Sequence, residues 1–506
     1  MSAIAGLPAL TVQLADSALA PGDAGALEEV HVRQHLSLPA QCELTFLNPQ
    51  GRLADALIMP AAEPLKVMVQ GCLEPLFVGE VTAVEHAFTA SRGHEVYVRG
   101  YDVLHRLRKQ QPLKAHVDLS LPQLARELVS ALGLSVEGAG GNLSLPRIIQ
   151  HRQSDLELLH QVVERCGLYF TLRGTVLQLT ALQGIGDAVP LALGDTLLEL
   201  RIEANSDGAS RSVKASTWDP WKVEAHSGSA SVPRVGRDVT AEFPPSSFGL
   251  SAERTLTAEV TQDDNQAEAL AQGELDRRVA GEVTLWGVAE GNPLLRPACP
   301  VDVSGISSAL SGRYVLTSVN HKVDRRAGFT SEISSAPPAP SARSHQSGAT
   351  LGIVVSVDDP ESRGRVRASL PALGNLETDW MSVVCAGAGE SKGLLILPDV
   401  GDRVLVLFLN GDSAQGMVVG GLFGGSKLPD ACVEGGSVRR YTLATAKGQK
   451  IQFDDTGQRI RLENSQGSCL EISPDLVLIH ARTKLRIEAV EEAVVIRGKS
   501  IDFERG

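Results

Sequence analysis

From about Thr442 to Gly506 the chain reads as seven short strand patterns in succession: GQKIQFDD, QRIRLEN, SCLEIS, DLVLIHA, KLRIEA, AVVIRG and SIDFER. Each is long enough for only ~15 Å at the rise of a strand, and no helical periodicity lies among them. Apolar residues alternate at Ile451/Phe453, Ile460/Leu462, Leu470/Ile472, Leu485/Ile487, Val494/Ile496 and Ile501/Phe503. A narrow meander of this kind presents one apolar face, cannot close on itself and has no helix to cover it. Copies of the same face from other chains are the economical cover. The expectation over 442–506 is therefore one wall of an intertwined β-prism. No helix, proline or charge cluster follows Phe503, so the final strands of the prism would leave a blunt face. Ile501, Phe503 and Arg505 are its candidate tip-binding residues.

Residues 351–425 form a second recognisable block. The runs LGIVVSV, RVRASLP, WMSVVCA, RVLVLFLNGD and GMVVGGLFG are separated by Asp-Pro, Gly-Asp and Asn410-Gly411-Asp412, residues that supply the positive φ that turns require. Five short strands at this spacing predict a Greek-key barrel of the OB type. Such barrels bind single-stranded nucleic acid through stacked aromatics and a basic groove. Here five Lys/Arg face nine Asp/Glu, and the only aromatics are Trp380, Phe408 and Phe423. That balance argues against nucleic acid and for a rigid coupling between neighbours.

The first 335 residues are strand-rich at both ends with short helices between. LTVQL, EVHVRQHLSL, CELTFLN, LKVMVQ, LFVGEVTAVEHAF and HEVYVRGYD alternate as half-buried antiparallel strands. Ser120 and Gln123 form a capping box ahead of a helix over 121–132, and Ser154 and Glu157 form another ahead of a helix stopped by Gly167. A third helix is predicted over 263–280, and strands resume at GEVTLWGVAE. This order suits β-barrel-like domains with helical insertions, in more than one compact unit. A Pro/Ser/Ala linker over 336–350 and a shorter one over 426–441 separate the hub (1–335), the barrel (351–425) and the prism (442–506). The fold class is mainly β.

The chain has 506 residues, too many for one core. A net charge of −13 argues against a polyanion or an acidic membrane surface as the main partner. No run of about 18 apolar residues offers a membrane span, and the first basic residue is Arg33, which predicts no secretory leader. Seven scattered cysteines without CxxC spacing suit reduced thiols and assembly in the cytoplasm.

Several motifs in order resemble one family: VRGYDVLHRLR (98–108), IIQHRQSDLELLHQVVERCGLYF (148–170), SGRYVLTSVNHKVD (311–324), DPESRGRVRASLP through LLILPDVGDRVLVLFLNGD, and GQKIQFDDTGQRIRLEN. Together they resemble the VgrG spike proteins of contractile injection machines, in which a phage-baseplate-like hub is fused to an OB barrel and a triple-stranded β-helix. The resemblance implies a non-enzymatic homotrimer without cofactors. It also implies a hub docked on an inner tube protein among baseplate proteins, a PAAR-type cone on the prism, and transient contact with a target membrane when the particle fires. Unlike some phage spikes, the sequence has no lysozyme-like insertion between barrel and prism. The short prism leans towards an extracellular, phage-like particle over a type VI spike.

Candidate chemistry is sparse. Glu157-x-x-His160 has half the spacing of a di-metal carboxylate site, but no second copy exists and Glu157 is already the third helical residue of a capping box. GAGESKG (387–393) lacks the order of a phosphate-binding loop, and there is no G-x-S-x-G or HExxH. Asp454-Asp455-Thr456-Gly457 fits a hairpin turn better than a calcium loop. The alternative function, a peptidoglycan-degrading enzyme on a β-rich scaffold, would release soluble fragments from purified peptidoglycan.

Overall fold

The computed structural model describes residues 10–54, 62–140, 143–219, 224–241, 253–257, 261, 263–341, 348–409 and 415–504. The turn at Asn410-Gly411-Asp412 and the candidate Arg505 lie outside the described residues. The chain divides into two compact units, Met1–Gly420 and Gly421–Gly506.

In the first unit, an eleven-stranded sheet joins the two strand-rich ends of the hub. Strand Leu27–His35 pairs on one side with Gln41–Leu47 and on the other with Ser318–Asp324, Val32 lying opposite His321, so residues from the two ends of the hub are direct neighbours. The expected separate units of the hub therefore share one sheet, with one core built around Val30, Leu44, Phe46, Val67 and Val98 and another around Leu285, Val301, Tyr314 and Ile333. His321 is buried; its Nδ1 lies 2.8 Å from Ser331 Oγ and its Nε2 3.0 Å from Leu295 O. Burial lowers its pKa to about 4, so it stays neutral within the sheet.

The described residues include four α-helices: α1 (Pro21–Ala26), α2 (Leu121–Val129), α3 (Asp155–Arg165) and α4 (Asp264–Glu282). The capping boxes read from the sequence are both formed: Ser120 and Gln123 open α2, and Ser154 and Glu157 open α3. The first predicted helix is shorter than 121–132, because its last turn tightens to a 3-10 segment, Ser130–Leu132, ahead of Gly133 at φ +69°. Leu121, Leu124, Leu128, Leu159 and Val163 meet Phe170 and Leu177 in a third core. Helix α4 crosses α3's end at a glycine pair: a Cβ on Gly273 would fall 2.4 Å from Gly167 Cα. The Arg237 guanidinium closes the far end of α4, donating to the Val279 carbonyl at 2.7 Å and to Val283 O at 3.2 Å, where the helix dipole favours a cation.

The barrel closes. Its sheet runs Leu376–Glu377, Arg367–Leu370, Gly348–Ser356, Arg403–Phe408, Gly416–Leu422. The segment 381–384 completes the circuit: Met381 bridges Val366 of the second strand, and Val383 bridges Val418 in parallel, with Val384 N donating to Val418 O at 2.8 Å and Val418 N to Ser382 O at 2.9 Å. First strand against second and fourth, third against fifth in parallel, is OB connectivity, as the strand spacing predicted. Inside lie Val354, Val366, Leu370, Val404, Val406 and Val418. At its rim a buried pair, Asp359 and Arg365 (Nη2 to Oδ1, 2.7 Å), ties the DPESRGR turn to the second strand. The barrel is fastened to the hub by Arg147 Nη2, which donates to Glu377 O at 2.6 Å. The departing linker is fastened too: Ser341 N donates to Glu164 Oε1 at 2.8 Å, and its hydroxyl lies 3.2 Å from His160 Nε2.

Candidate functional site

The second unit carries the most unusual surface of the described chain. It is a single antiparallel meander of five strands: Arg440–Ala444, Lys450–Asp454, Arg459–Glu463, Cys469–Ile472 and Val477–His480. Its turns are built from local side chains. Asp454 Oδ1 accepts from Gly457 N at 3.1 Å and Oδ2 receives Arg459 Nε at 3.1 Å, which makes DDTG a hairpin turn. Asn464 Oδ1 accepts from Gln466 N and Ser468 N at 3.1 and 2.9 Å, an Asx turn.

Register sorts the side chains into two faces. One carries two unbroken apolar rows, Tyr441–Phe453–Ile460–Ile472–Val477 and Leu443–Ile451–Leu462–Leu470–Ile479, each residue directly opposite the next. The other carries charged and polar pairs: Lys450 with Glu463, and Arg461 between Glu463 (2.7 Å) and Glu471 (3.0 Å). One face is thus satisfied within the chain and the other is not. Among the ten apolar residues, eight are more than a third exposed. At about 1.5–3 kcal/mol for complete burial of such a side chain, half-covering ten of them leaves roughly 8–15 kcal/mol of uncollected burial per copy.

The polar face is anchored at its start by Asp430. Arg440 Nε (3.0 Å), Thr442 Oγ1 (3.0 Å) and Gln452 Nε2 all donate to this carboxylate, and Arg440 also pairs with Glu434. Burial would raise the Asp430 pKa, but the donors outweigh it and hold it at about 2. Residues 430–441, expected to be linker, are therefore part of this unit, and a strand at 440–444 precedes the first one predicted. Its signal was the alternation of Tyr441 and Leu443.

Beyond His480 the expectation fails for the chain on its own. KLRIEA, AVVIRG and SIDFER contain no strand among the described residues, where the last strand pairing ends at His480. Their apolar members face solvent instead. Of the candidate tip residues, Ile501 is 49% and Phe503 90% exposed.

The residues weighed as chemistry are used structurally. Glu157 Oε2 accepts from Ser154 N at 2.7 Å, and His160 Nδ1 lies 3.2 Å from Ser37 O. GAGESKG forms a two-residue-per-strand hairpin, Ala388–Gly389 against Lys392–Gly393. Among the described residues no group of three or more His, Cys, Asp or Glu is placed to hold a metal.

Comparison with known proteins matches these parts separately. Residues 350–423 match the type VI secretion system/phage-baseplate injector OB domain. Residues 70–325, half of the chain, match the Alg8 N-terminal domain. A 224-residue stretch is 25% identical to the actin cross-linking toxin VgrG1 of Vibrio cholerae serotype O1 (strain ATCC 39541 / Classical Ogawa 395 / O395). The chain belongs to the Alg8 N-terminal domain family and is a VgrG-type spike protein. The alignment to VgrG1 covers 39% of this VgrG-type chain and 20% of that relative.

Two solved structures share the fold of this VgrG-type spike. One is an E. coli component of the type VI secretion system described as structurally similar to T4 bacteriophage tail proteins gp27 and gp5. It is 14% identical with TM-score 0.55, covering 81% of this chain and 99% of that one. The other is from the Francisella PdpA–VgrG complex, 9% identical with TM-score 0.55, covering 93% and 79%. No helix among the described residues is long and apolar enough to cross a membrane.

Proposed function

We propose that this protein is the non-enzymatic, homotrimeric hub and spike of a contractile injection machine. In this reading three copies bury the apolar rows of 440–480 against one another, and the segment from 481 onward gains its strand partners from the other two chains. The hub docks on an inner tube protein, within a baseplate assembled in the cytoplasm. The exposed Ile501 and Phe503, with Arg505, receive a PAAR-type cone that leads through the target membrane.

The observation that carries the reading is the pair of apolar rows that the described residues leave half-exposed. A contiguous apolar surface of several hundred Å2 is rare on a monomer. Native mass tests it: a trimer weighs three times the 53.6 kDa of one chain. A monodisperse species at the single-chain mass at micromolar concentration would overturn it.

A further inference from the structure

The barrel carries a second pair of apolar features, distinct from the C-terminal sheet. Between its third and fourth strands the chain makes a long excursion over 384–402. Excursions of this length without helix or long strand are uncommon in compact domains and tend to be functional. This one is not loose. Its base is held by the hairpin at Ala388–Lys392 and by Leu394 N donating to Gly387 O at 3.2 Å; its far end is held by Asp399 N donating to Asp402 Oδ2 at 2.8 Å. Between these pins run Leu394, Leu395, Ile396 and Leu397, all exposed, Leu395 by 73%. Four consecutive aliphatics leave this stretch no polar side chain to turn to water. Leu397, the least exposed of the four, lies nearest the barrel beneath, close to Gly364.

The matching feature is on the barrel wall. Val354, Val404, Val406 and Val418 point inward, which turns Leu351, Ile353, Leu405 and Val419 outward on three adjacent strands. Leu351 sits directly opposite Leu405, and Leu351 is 54% exposed. Ile353 and Val419 stay exposed as well.

We propose that the Leu394–Leu397 arm of each copy packs on the Leu351/Ile353/Val419 strip of the next copy, closing a ring of three barrels. The occupant is a second copy because one chain carries both halves and leaves both exposed. A head-to-tail contact of this type closes when its rotation is three-fold. Its size fits a contact made inside an existing assembly. An aliphatic side chain carries roughly 60–120 Å2 of apolar surface, so about seven half-exposed ones bury roughly 200–400 Å2 per copy. A free-standing interface needs about 800 Å2 per partner. The arm therefore depends on the C-terminal sheets to supply high local concentration, and the inference rests on the trimer reading above.

The test uses the full chain carrying Leu395→Cys together with Leu351→Cys, treated with a short bis-maleimide, beside wild type and each single variant. The expected result is covalent dimer and trimer bands in the double variant only, reduced about tenfold when Ile396→Asp is added, since a carboxylate in the contact is costly to desolvate. Native mass should stay at that of three chains in every variant. Monomer bands alone from a species of trimer mass would overturn the arm contact and leave the trimer standing. A native mass of 53.6 kDa in wild type would overturn both.

Discussion

Leu462 sits at the centre of one apolar row, opposite Ile451 on one side and Leu470 on the other, and is 43% exposed in the chain. Leu462→Ala removes two separable contributions. The covered part of the side chain stabilises the meander within each copy, about 1–2 kcal/mol that does not depend on concentration. The exposed part would be buried only between copies: about 0.6–1.3 kcal/mol per copy, or about 2–4 kcal/mol for three. That lowers a three-body association constant by a factor of roughly 30 to 700. Because the half-assembly concentration of a trimer varies as the inverse square root of that constant, it should rise roughly 5- to 25-fold. The assay is refolding from denaturant across a concentration series, with the fraction at three times the chain mass measured by light scattering. Glu471→Gln, on the opposite face beside Arg461, should leave the midpoint unmoved. If Leu462→Ala refolds with the wild-type concentration dependence, or if Glu471→Gln shifts it equally, the apolar rows are not the assembly surface.

Three further outcomes are expected. Phe503→Asp should abolish co-elution with the cognate cone protein while native mass is unchanged; loss of the trimer instead would place Phe503 in the prism interior. Asp430→Asn should destabilise the C-terminal unit by about 1–3 kcal/mol near neutral pH. With the native carboxyl held at about 2, below its ordinary 3.8, that advantage is present above pH ~4 and disappears as pH falls through about 2; a gap that persists in thermal melts at pH ~2 would contradict the carboxylate's role. Gly273→Ala should destabilise the hub by about 1–3 kcal/mol despite alanine's better helix propensity, because the new methyl meets Gly167 backbone at 2.4 Å. Gly281→Ala, in the same helix with only Pro337 Cγ at 3.9 Å, should be neutral or mildly stabilising, and equal effects in chemical denaturation would remove the close-packing explanation.

Local rules made much of this architecture legible. Capping boxes at Ser120 and Ser154 located two helices, and period-two alternation at Ile451/Phe453 through Leu470/Ile472 gave the correct face of three strands because register is tied to which side is apolar. What stayed hidden depended on distant partners. The pairing of Leu27–His35 with Ser318–Asp324, which brings the two ends of the hub into one sheet, leaves no local mark. Asp430 looked like a linker acid because its three donors come from two strands that follow it. The strand-like runs after His480 show the reverse case: the alternation is present, but a backbone without neighbours cannot become a strand.

The bridge from Val383 to Val418 gives the barrel a mechanical character that an open sheet of the same strands would lack. An open sheet under load fails from its outermost strand, one hydrogen bond after another, each rupture exposing the next. A cylinder bonded around its whole circumference offers no strand at which such a tear can begin. Thrust entering at Gly348 reaches Arg403–Phe408 on one flank and Arg367–Leu370 on the other at once, so many bonds share the force and none bears it first. Under an end-on load, closure makes the barrel a stiff joint that transmits a blow instead of absorbing it.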